Sequence, residues 1–417
     1  MKVAVIGAGI VGITTAYELA QDGHEVSVFE QNGAAAEGAS FAPNGLVCPS
    51  MMLPISSGSN NAYAFKRGLF GFSGLTLNAG ITLNDLRWLA QWGRKIPAQL
   101  LLEQLRFHHQ LIAYSQSRMY QIVDQAKVEP ERSEGLLVVV PTEKERRALS
   151  PLLVRLKDIG VGFQEISSEQ SRLIEPGLGS SAAVHSGLHF PGDANANCRQ
   201  FAMLLKNSAV ALGVKFSFNT TVVSIEPGTL PSISIEGRSA PEAFDNVVVC
   251  TGSLSNRWSS GLKGNVRVTQ IHGYSISASI REPLNAPRSA LLAMGSNVAI
   301  SRQGQRIRVS GGSEIGSKAA TQSRKLVQLL FKTLLDYFPG SVHLSSGTQV
   351  WKGASSMTSD GLPVVGASTA PGVWLNACQG NNGWATACGS ARVIADLLVG
   401  KTAEVDIQRL RPDRILI

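Results

Sequence analysis

The sequence predicts a mixed α/β fold, with a second region of α+β character built on an antiparallel sheet. Two patterns predict it. Near the N-terminus, the β-branched run at 3–6 leads through a glycine-rich turn into an apolar helical face, as in a parallel sheet. Further along, 267–280 and 297–309 alternate apolar and polar residues, as half-buried strands do. We predict helices over 83–126 and 321–338.

Length and composition narrow the class of protein. The 417 residues suffice for roughly two or three domains, and 44% apolar against 16% charged residues exclude a largely disordered chain. No uncharged run of about 18 residues is apolar enough to predict a spanning helix. The net charge of +8 favours anionic partners. No aromatic-interleaved basic motif accompanies this charge, so we expect no nucleic-acid partner.

The five cysteines form no C-x-x-C pair and are odd in number. They therefore indicate neither a disulfide framework nor a metal site, and they fit a reducing compartment. The chain runs from Met1 directly into its first predicted strand, without the pattern of a signal peptide. We expect a cytoplasmic protein with no bound metal.

A strand, a glycine turn and a helix open the chain. Gly7, Gly9 and Gly12 form the pattern G-x-G-x-x-G, and Gly23 ends the helical face before a second predicted strand. The three glycines permit a tight turn, a close approach to a pyrophosphate and close packing of helix on strand, respectively. Glu30 follows Gly9 by 21 residues, where a carboxylate accepts hydrogen bonds from ribose hydroxyls. The unit predicts an adenine dinucleotide, and Glu30 disfavours the 2′-phosphate of NADP.

Three further stretches help to distinguish FAD from NAD. They are a small-residue loop at 38–45, a buried strand and turn at 247–253, and the segment 376–384, whose glycines precede a helical pattern. One dinucleotide flanked by two helices that begin behind glycines suits a large flavin better than an exchanging nicotinamide. The sequence therefore favours FAD.

These stretches resemble the FAD-dependent amino-acid and amine oxidoreductases, and most closely the bacterial D-amino-acid dehydrogenases. The resemblance covers nearly the whole chain. Its further matching segments are 187–193, 219–222, 273–275, 308–314 and 360–366. It implies oxidative deamination of D-amino acids, with a hydride passing from the substrate α-carbon to flavin N5. It also implies that Val222 meets the adenine through its backbone and that 379–384 lies against the flavin ring.

From the glycine pattern and the resemblance together, we expect a defined set of cofactor-binding residues. They are Gly7, Gly9, Ile10, Val11, Gly12, Glu30, Gln31, Ser40, Asn44, Gly45, Val222, Thr251, Gly252, Gly380, Asn382, Gly383 and Trp384. Some relatives attach the flavin covalently through a cysteine in the stretch that corresponds to 354–357. No cysteine occurs there, so we expect non-covalent FAD.

The resemblance further implies two interleaved domains. A Rossmann-like FAD-binding domain would comprise 1–45, 186–262 and 345–417. The remaining segments, 46–185 and 263–344, would form an antiparallel-sheet substrate-binding domain above the flavin.

The main departure from the family pattern lies at Ser355. Relatives carry an arginine here, whose planar fork pairs with both oxygens of a substrate carboxylate. A serine supplies no such charged pair. Either another cation substitutes, with Arg302, Arg308 and Lys352 the nearest candidates, or the substrate lacks a free α-carboxylate. The missing arginine also motivates a second hypothesis, in which the substrate is an amine, a cyclic imino acid or an N-substituted amino acid and oxygen is an alternative acceptor. For each arginine, a solvated charge on an alternating strand is the competing interpretation.

The expected catalytic and substrate-contacting residues are Tyr274, His272, Arg302, Ser355 and Gln379. Tyr274 lies in the matched Gly-Tyr-Ser step and offers a phenol, although packing alone would also explain it. His272 precedes it by two residues, on the same face of the strand. An imidazole titrates near neutral pH, although an ordinary sheet-face histidine is the default interpretation.

One feature of the sequence bears on the identity of the electron acceptor. Between Gly38 and Asn84 there is no Asp or Glu, while apolar residues surround the basic pair Lys66 and Arg67. This profile is typical of a segment resting on an anionic membrane, although an active-site lid or a subunit contact would also fit it. We expect an amine or amino-acid substrate, a quinone or other acceptor, and peripheral contact with the cytoplasmic face of the inner membrane. A flavin-retaining subunit without turnover is the competing class.

Overall fold

The computed structural model describes residues 1–50, 75–94, 97–252, 267–316, 321–344 and 347–414. The helices are α1 (Ile10–Gln21), α2 (Leu83–Trp92), α3 (Ala98–Ala126), α4 (Glu143–Asp158), α5 (Ser168–Ile174), α6 (Cys198–Ala211), α7 (Arg324–Tyr337) and α8 (Gly383–Leu398). The strands are β1 (Lys2–Ile6), β2 (Glu25–Phe29), β3 (Leu46–Val47), β4 (Leu75–Leu77), β5 (Arg132–Val140), β6 (Gln164–Ser167), β7 (Ser186–Ala196), β8 (Lys215–Ser217), β9 (Val222–Glu226), β10 (Ser232–Ile235), β11 (Glu242–Ala243), β12 (Asn246–Val249), β13 (Val268–Ser279), β14 (Ala290–Ala293), β15 (Val298–Gln303), β16 (Arg306–Ile315), β17 (Gln349–Thr358), β18 (Val364–Ala367) and β19 (Val373–Ala377).

The N-terminal strand lies inside a mainly parallel sheet of order β18-β19-β12-β1-β2-β8. Strand β1 pairs in parallel with both β2 and β12, so its short β-branched run is buried on both faces. Helices α1, α3, α6 and α8 cover one face, and the small sheet β11-β10-β9 covers the other. The predicted α/β unit and its helix end at Gly23, which has a φ of +83°, are confirmed.

A second, larger sheet has the order β17-β13-β16-β15-β14-β5-β7-β3, with β4 and β6 added to β16 and β7. Strand β13 pairs antiparallel with β16 and β17, as its alternation predicts. The segment 297–309 is instead a hairpin of β15 and β16, because the chain turns at Gly304, which has a φ of +57°. A helix over 321–338 is confirmed as α7.

The predicted helix over 83–126 is two helices. The first, α2, begins at a capping box of Thr82 and Asp85 and has Gly93 at its C-cap. The second, α3, begins after Pro97, whose ring is compatible only with the start of a helix. The interruption therefore follows from local turn chemistry.

Two of the expected domain segments include strands of the larger sheet. Strand β7 falls in 186–262 and β17 falls in 345–417, yet both pair within this sheet. We therefore propose that the chain changes domains after each of these strands. No helix in the described ranges is long and apolar enough to cross a membrane.

Candidate active site

The glycine turn after β1 leaves no room for a side chain at Gly7 or Gly12. Gly7 has a φ of +104°, and a Cβ at Gly12 would lie 1.9 Å from the carbonyl oxygen of Gly7. Helix α1 begins at Gly9 without a side-chain cap, so the positive end of its dipole faces the adjoining cleft. A helix start of this kind binds phosphate groups.

The carboxylate of Glu30 lies beside this turn, immediately after β2. Its two oxygens accept hydrogen bonds from the backbone N–H of Ala8 at 2.7 Å and that of Asn32 at 2.9 Å. Ser40 reaches the helix start from another loop, because its Oγ accepts a 2.9 Å bond from the N–H of Ile10. The carboxylate and the hydroxyl thus line one cleft with the helix start.

The opposite wall of the cleft comes from strands β9 and β12. Val222 at the start of β9 and Thr251 and Gly252 just after β12 line it, and Gln31 lines the same cleft next to Glu30. The Oγ1 of Thr251 is buried and has no hydrogen-bond partner within the described residues. An orphaned hydroxyl, a glycine cradle and a helix start together fit the polar backbone of an adenine dinucleotide. The predicted cleft residues Gly7, Gly9, Ile10, Val11, Glu30, Gln31, Ser40, Val222, Thr251 and Gly252 are brought together here.

Replacing Glu30 by alanine is expected to weaken FAD binding by roughly 10- to 100-fold, because the charge-assisted acceptor for ribose hydroxyls is removed. The matched control is Glu37→Ala, since Glu37 is exposed at the rim of the same cleft. Fluorescence titration of each apoprotein with FAD measures the effect. Equal affinities in the two variants would remove Glu30 from the cofactor site.

A second cavity adjoins the cleft and lies on the larger sheet. Ala39 lines both spaces, while on β17 Ala354 faces the cleft and its neighbours Gly353 and Ser355 face the cavity. Its polar lining includes Asn44, Ser310, Ser313, Asn381 and Asn382, and Trp351 forms part of its wall. The cavity is therefore positioned to hold a small molecule beside a bound dinucleotide.

Glycines on β17 and at the 38–45 loop shape this cavity. A Cβ at Gly353 would lie 1.8 Å from the Trp351 ring, which itself stacks on Phe41 with ring centroids 5.9 Å apart. Gly45 has a φ of +82°, and a Cβ there would lie 2.3 Å from the Asn195 side chain. Sequence reasoning missed Trp351 and Gly353, although a glycine inside an alternating strand signals a close approach.

Residues of the segment before α8 have different roles at the cavity. Asn382 lines it, and Trp384 holds the loop by donating a 3.2 Å hydrogen bond to the carbonyl of Gly45. Gly380 has a φ of +58°, so a tight turn leads to Gly383 at the helix start.

Gln379 instead turns inward. Its side-chain amide donates to Asn376 at 2.7 Å and accepts from the Thr386 hydroxyl at 2.7 Å. The structure therefore places Gln379 in a buried network rather than at the cavity.

The side chains of Tyr274 and Lys352 lie on the opposite face of the larger sheet. Strand β13 presents Ile271 and Gly273 to the cavity, so Tyr274 belongs to the face covered by α7. Its hydroxyl donates to Glu314 Oε2 at 2.9 Å and accepts from the N–H of Ser323 at 2.9 Å. Lys352 forms a buried ion pair with the same Glu314 at 3.3 Å. These bonds argue against a direct contact between the Tyr274 hydroxyl and a substrate.

His272 and Arg302 are not among the residues that line the cavity. His272 pairs across the sheet with Glu314, and burial, followed by nearby Lys352, lowers the pKa of its imidazole. Arg302 lies on the α7 face of β15. Side chains alternate between the two faces along a strand, and Ala299 and Ser301, at odd distances from Arg302, lie on the cavity face. Its Nε donates to the carbonyl of Gly304 at 3.2 Å. Of the five expected catalytic residues, Tyr274 and Ser355 border the cavity. The ring of Tyr274 packs under α7, whereas the side chain of Ser355 lies on the cavity face of the sheet.

The larger sheet is mainly antiparallel, with parallel pairs between β5 and β14 and between β4 and β16. A glycine-cradled nucleotide cleft that opens beside a small cavity on such a sheet fits a dinucleotide-dependent oxidoreductase. The chain belongs to the FAD dependent oxidoreductase family, whose model matches residues 2–397. The chain is therefore an FAD-dependent oxidoreductase, and the predicted cofactor FAD is confirmed.

Individual relatives cover the chain end to end. A D-amino acid dehydrogenase of Bradyrhizobium diazoefficiens is 32% identical over 416 residues, which are 99% of each chain. The solved glycine oxidase of Geobacillus kaustophilus superposes with a TM-score of 0.75 at 20% identity, covering 100% of this chain and 99% of its own. An iminodiacetate oxidase from Chelativorans gives a TM-score of 0.72 at 19% identity, with 99% of both chains covered. The two structural similarities establish the fold.

Proposed function

We propose that this chain is an FAD-dependent dehydrogenase of D-amino acids that passes electrons to a quinone or another acceptor. The observation that carries the proposal is the small cavity beside the dinucleotide cleft, lined by amide and hydroxyl groups. The full-length similarity to a D-amino acid dehydrogenase supports this choice of substrate class.

When bound, FAD supplies the hydride acceptor for the oxidation of a C–H bond next to an amine. The residues expected to hold it are the glycine turn, Glu30, Ser40 and Thr251. Glu30 and Ser40 are buried, and the apolar side chains Leu46, Ile271 and Leu292 in the cavity lining disfavour water there. The protein's part is therefore to orient the substrate and to exclude water.

The cavity lining also limits how the substrate amine loses its proton. Within the described part of the chain, no Asp, Glu, His or Lys lines the cavity, and burial raises the pKa of the bordering Tyr274 to about 12. Since the wall supplies no base that titrates near neutral pH, we infer that the amine enters in its neutral form. Amide oxygens such as those of Asn44, Asn381 and Asn382 then suit its remaining N–H groups.

We propose that FAD is held without a covalent bond. Positions 354–357 contain no cysteine. Cys378 and Cys388 lie near the flavin segment but are buried, and burial raises the pKa of the Cys378 thiol to about 12. A buried thiol of high pKa is a poor nucleophile, so packing explains both residues.

A second candidate substrate class is a secondary amine, a cyclic imino acid or an N-substituted amino acid. Ser355 favours this second class. It lines the cavity and is uncharged, whereas the family that the sequence resembles has an arginine at this position. The structural similarity to an iminodiacetate oxidase supports the same class.

The acceptor proposal rests on sequence. The acid-free apolar stretch that begins at Gly38 favours a peripheral contact with an anionic membrane, and with it a membrane quinone. Its central part, 51–74, lies outside the described residues.

Anaerobic bleaching of the purified yellow protein tests the substrate class. We expect D-amino acids to bleach the flavin absorbance and their L-enantiomers to leave it unchanged. Bleaching only by sarcosine, D-hydroxyproline or simple amines would select the second class. No bleaching by any of these compounds would contradict both proposals. Oxygen and a water-soluble quinone, added separately to the reduced protein, then identify the acceptor by the rate of colour recovery.

A further inference from the structure

We propose that Arg308, together with Ser275 and Ser310, forms the anion subsite that holds the substrate carboxylate. This inference rests on the proposed oxidation of amino acids and names the group that takes over from the missing arginine at Ser355.

Only one of the three candidate cations lies on the cavity face of this sheet. On β16, Ser310 lines the cavity, so Arg308, two residues away, shares its face, while Ile307 and Val309 pack under α7. The other two candidates, Arg302 and Lys352, lie on the α7 face and have the partners described above. The position of the charge therefore favours Arg308.

Arg308 and the two serines carry polar atoms without partners. The Nε of Arg308 and the Oγ atoms of Ser275 and Ser310 are buried, and none has a hydrogen-bond partner within the described residues. Ser275 and Ser310 stand directly opposite each other on β13 and β16. Three unsatisfied donors on neighbouring positions of one face are costly unless a ligand with several acceptor oxygens joins them.

The charges around Arg308 also favour an anion. Burial, followed by the neighbouring cation Arg306, lowers the pKa of the Arg308 guanidinium to about 10, and Arg199 acts in the same direction. Arg199 in turn lies over the Phe41 ring, 4.1 Å from its centroid, and Phe41 stacks on the cavity residue Trp351. Because like charges destabilise one another in a buried place, an anion bound here would relieve their repulsion.

A carboxylate fits these donors better than a neutral group does. A guanidinium donates to two oxygens in one plane, and the serine hydroxyls donate to the remaining lone pairs. The subsite stands beside Ala299, Ser310 and Trp351 in the cavity wall, at the opposite end from Ser355. The substrate would therefore lie along the sheet, with its carboxylate toward Arg308.

Equilibrium binding of propionate to the holoenzyme tests the subsite without turnover. Propionamide, which has the same shape and no charge, is the paired probe, and flavin absorbance reports binding. We expect Arg308→Gln to raise the Kd of propionate by roughly 10- to 100-fold and to leave that of propionamide unchanged. Arg308→Lys should recover part of the affinity, since it keeps the charge without the planar fork. Arg281→Gln, at an exposed residue just after β13, is the matched control.

Two outcomes would overturn the proposal. Wild-type affinity for propionate in Arg308→Gln would show that the guanidinium does not bind the carboxylate. Loss of FAD from both Arg308 variants would show that the guanidinium contributes to cofactor binding and not to a carboxylate subsite. Since propionate binding requires no oxidation, a protein that binds it through Arg308 but is bleached by no amino acid would contradict the proposed function and leave the subsite supported.

Discussion

Replacing Glu18 by alanine is expected to lower the free energy of unfolding by about 3–5 kcal/mol, the cost of breaking a buried ion pair by removing one partner. Glu18 lies in α1 with a fully buried side chain. Its carboxylate accepts hydrogen bonds from Arg118 of α3 at 2.6 and 2.8 Å and from Arg392 of α8 at 2.9 Å. Without the carboxylate, the partly buried guanidinium of Arg118 would lose both of its bonds to Glu18, while Arg392 would keep its ion pairs with Asp22 and Asp396.

The location of this network makes the effect visible in the cofactor as well. Helix α1 begins at the dinucleotide cleft, and α8 begins beside the cavity, so both depend on the packing that Glu18 holds together. Urea unfolding followed by far-UV circular dichroism and by flavin release measures the change. The matched control is Glu25→Ala, because Glu25 pairs with Lys215 on the surface, and it should leave the transition unchanged. Equal shifts for the two variants would contradict the prediction.

The nucleotide cleft could be predicted from sequence because its physics is local. Within thirty residues, the buried strand, the glycine turn, the apolar helix face and Glu30 specify one supersecondary unit, and each contributes to the same cleft. In its far wall, Thr251 belongs to a buried strand and turn that the sequence pattern shows, whereas Val222 was expected from the family resemblance. The structure brings both parts together at one cleft.

The substrate cavity could not be predicted in the same way, because the face that a strand turns to a ligand is a tertiary property. Alternation places Gly273 and Tyr274 on opposite faces but does not say which face α7 covers. The phenol was the more conspicuous chemical group, yet the cavity lies on the side of Gly273. For the same reason, the alternation along each strand did not show that Arg308 lies on the cavity face and Arg302 on the α7 face. The glycines at 273 and 353 were the available signal, since a missing side chain on a sheet leaves room for a ligand.

Segment boundaries were the other part that sequence reasoning missed. The alternating run over 297–309 contains Gly304, which makes it a hairpin, and Pro97 divides the helical run over 83–126. In each case one residue with special backbone geometry outweighed a periodic pattern around it.

Replacing Gly12 by alanine is expected to yield a protein that retains FAD roughly 100-fold less tightly. The added Cβ would lie 1.9 Å from the carbonyl oxygen of Gly7 and 2.9 Å from its carbonyl carbon, which no real contact allows. Helix α1 or the glycine turn must therefore move, and overpacking of a close-packed site costs about 1–3 kcal/mol or more. Because the turn and the helix start form the phosphate end of the cleft, this strain reduces cofactor affinity directly.

The same substitution at Gly162 is the matched control for Gly12→Ala. A Cβ at Gly162 would meet no atom within 4 Å, and the residue lies on the surface between α4 and β6. Visible absorbance of the purified proteins, together with FAD titration of the apoproteins, measures the difference, and far-UV circular dichroism shows whether Gly12→Ala still folds. A folded Gly12→Ala protein with wild-type affinity would mean that the turn can relax without loss of the cleft. The packing of α1 on β1 would then not be what positions the cofactor.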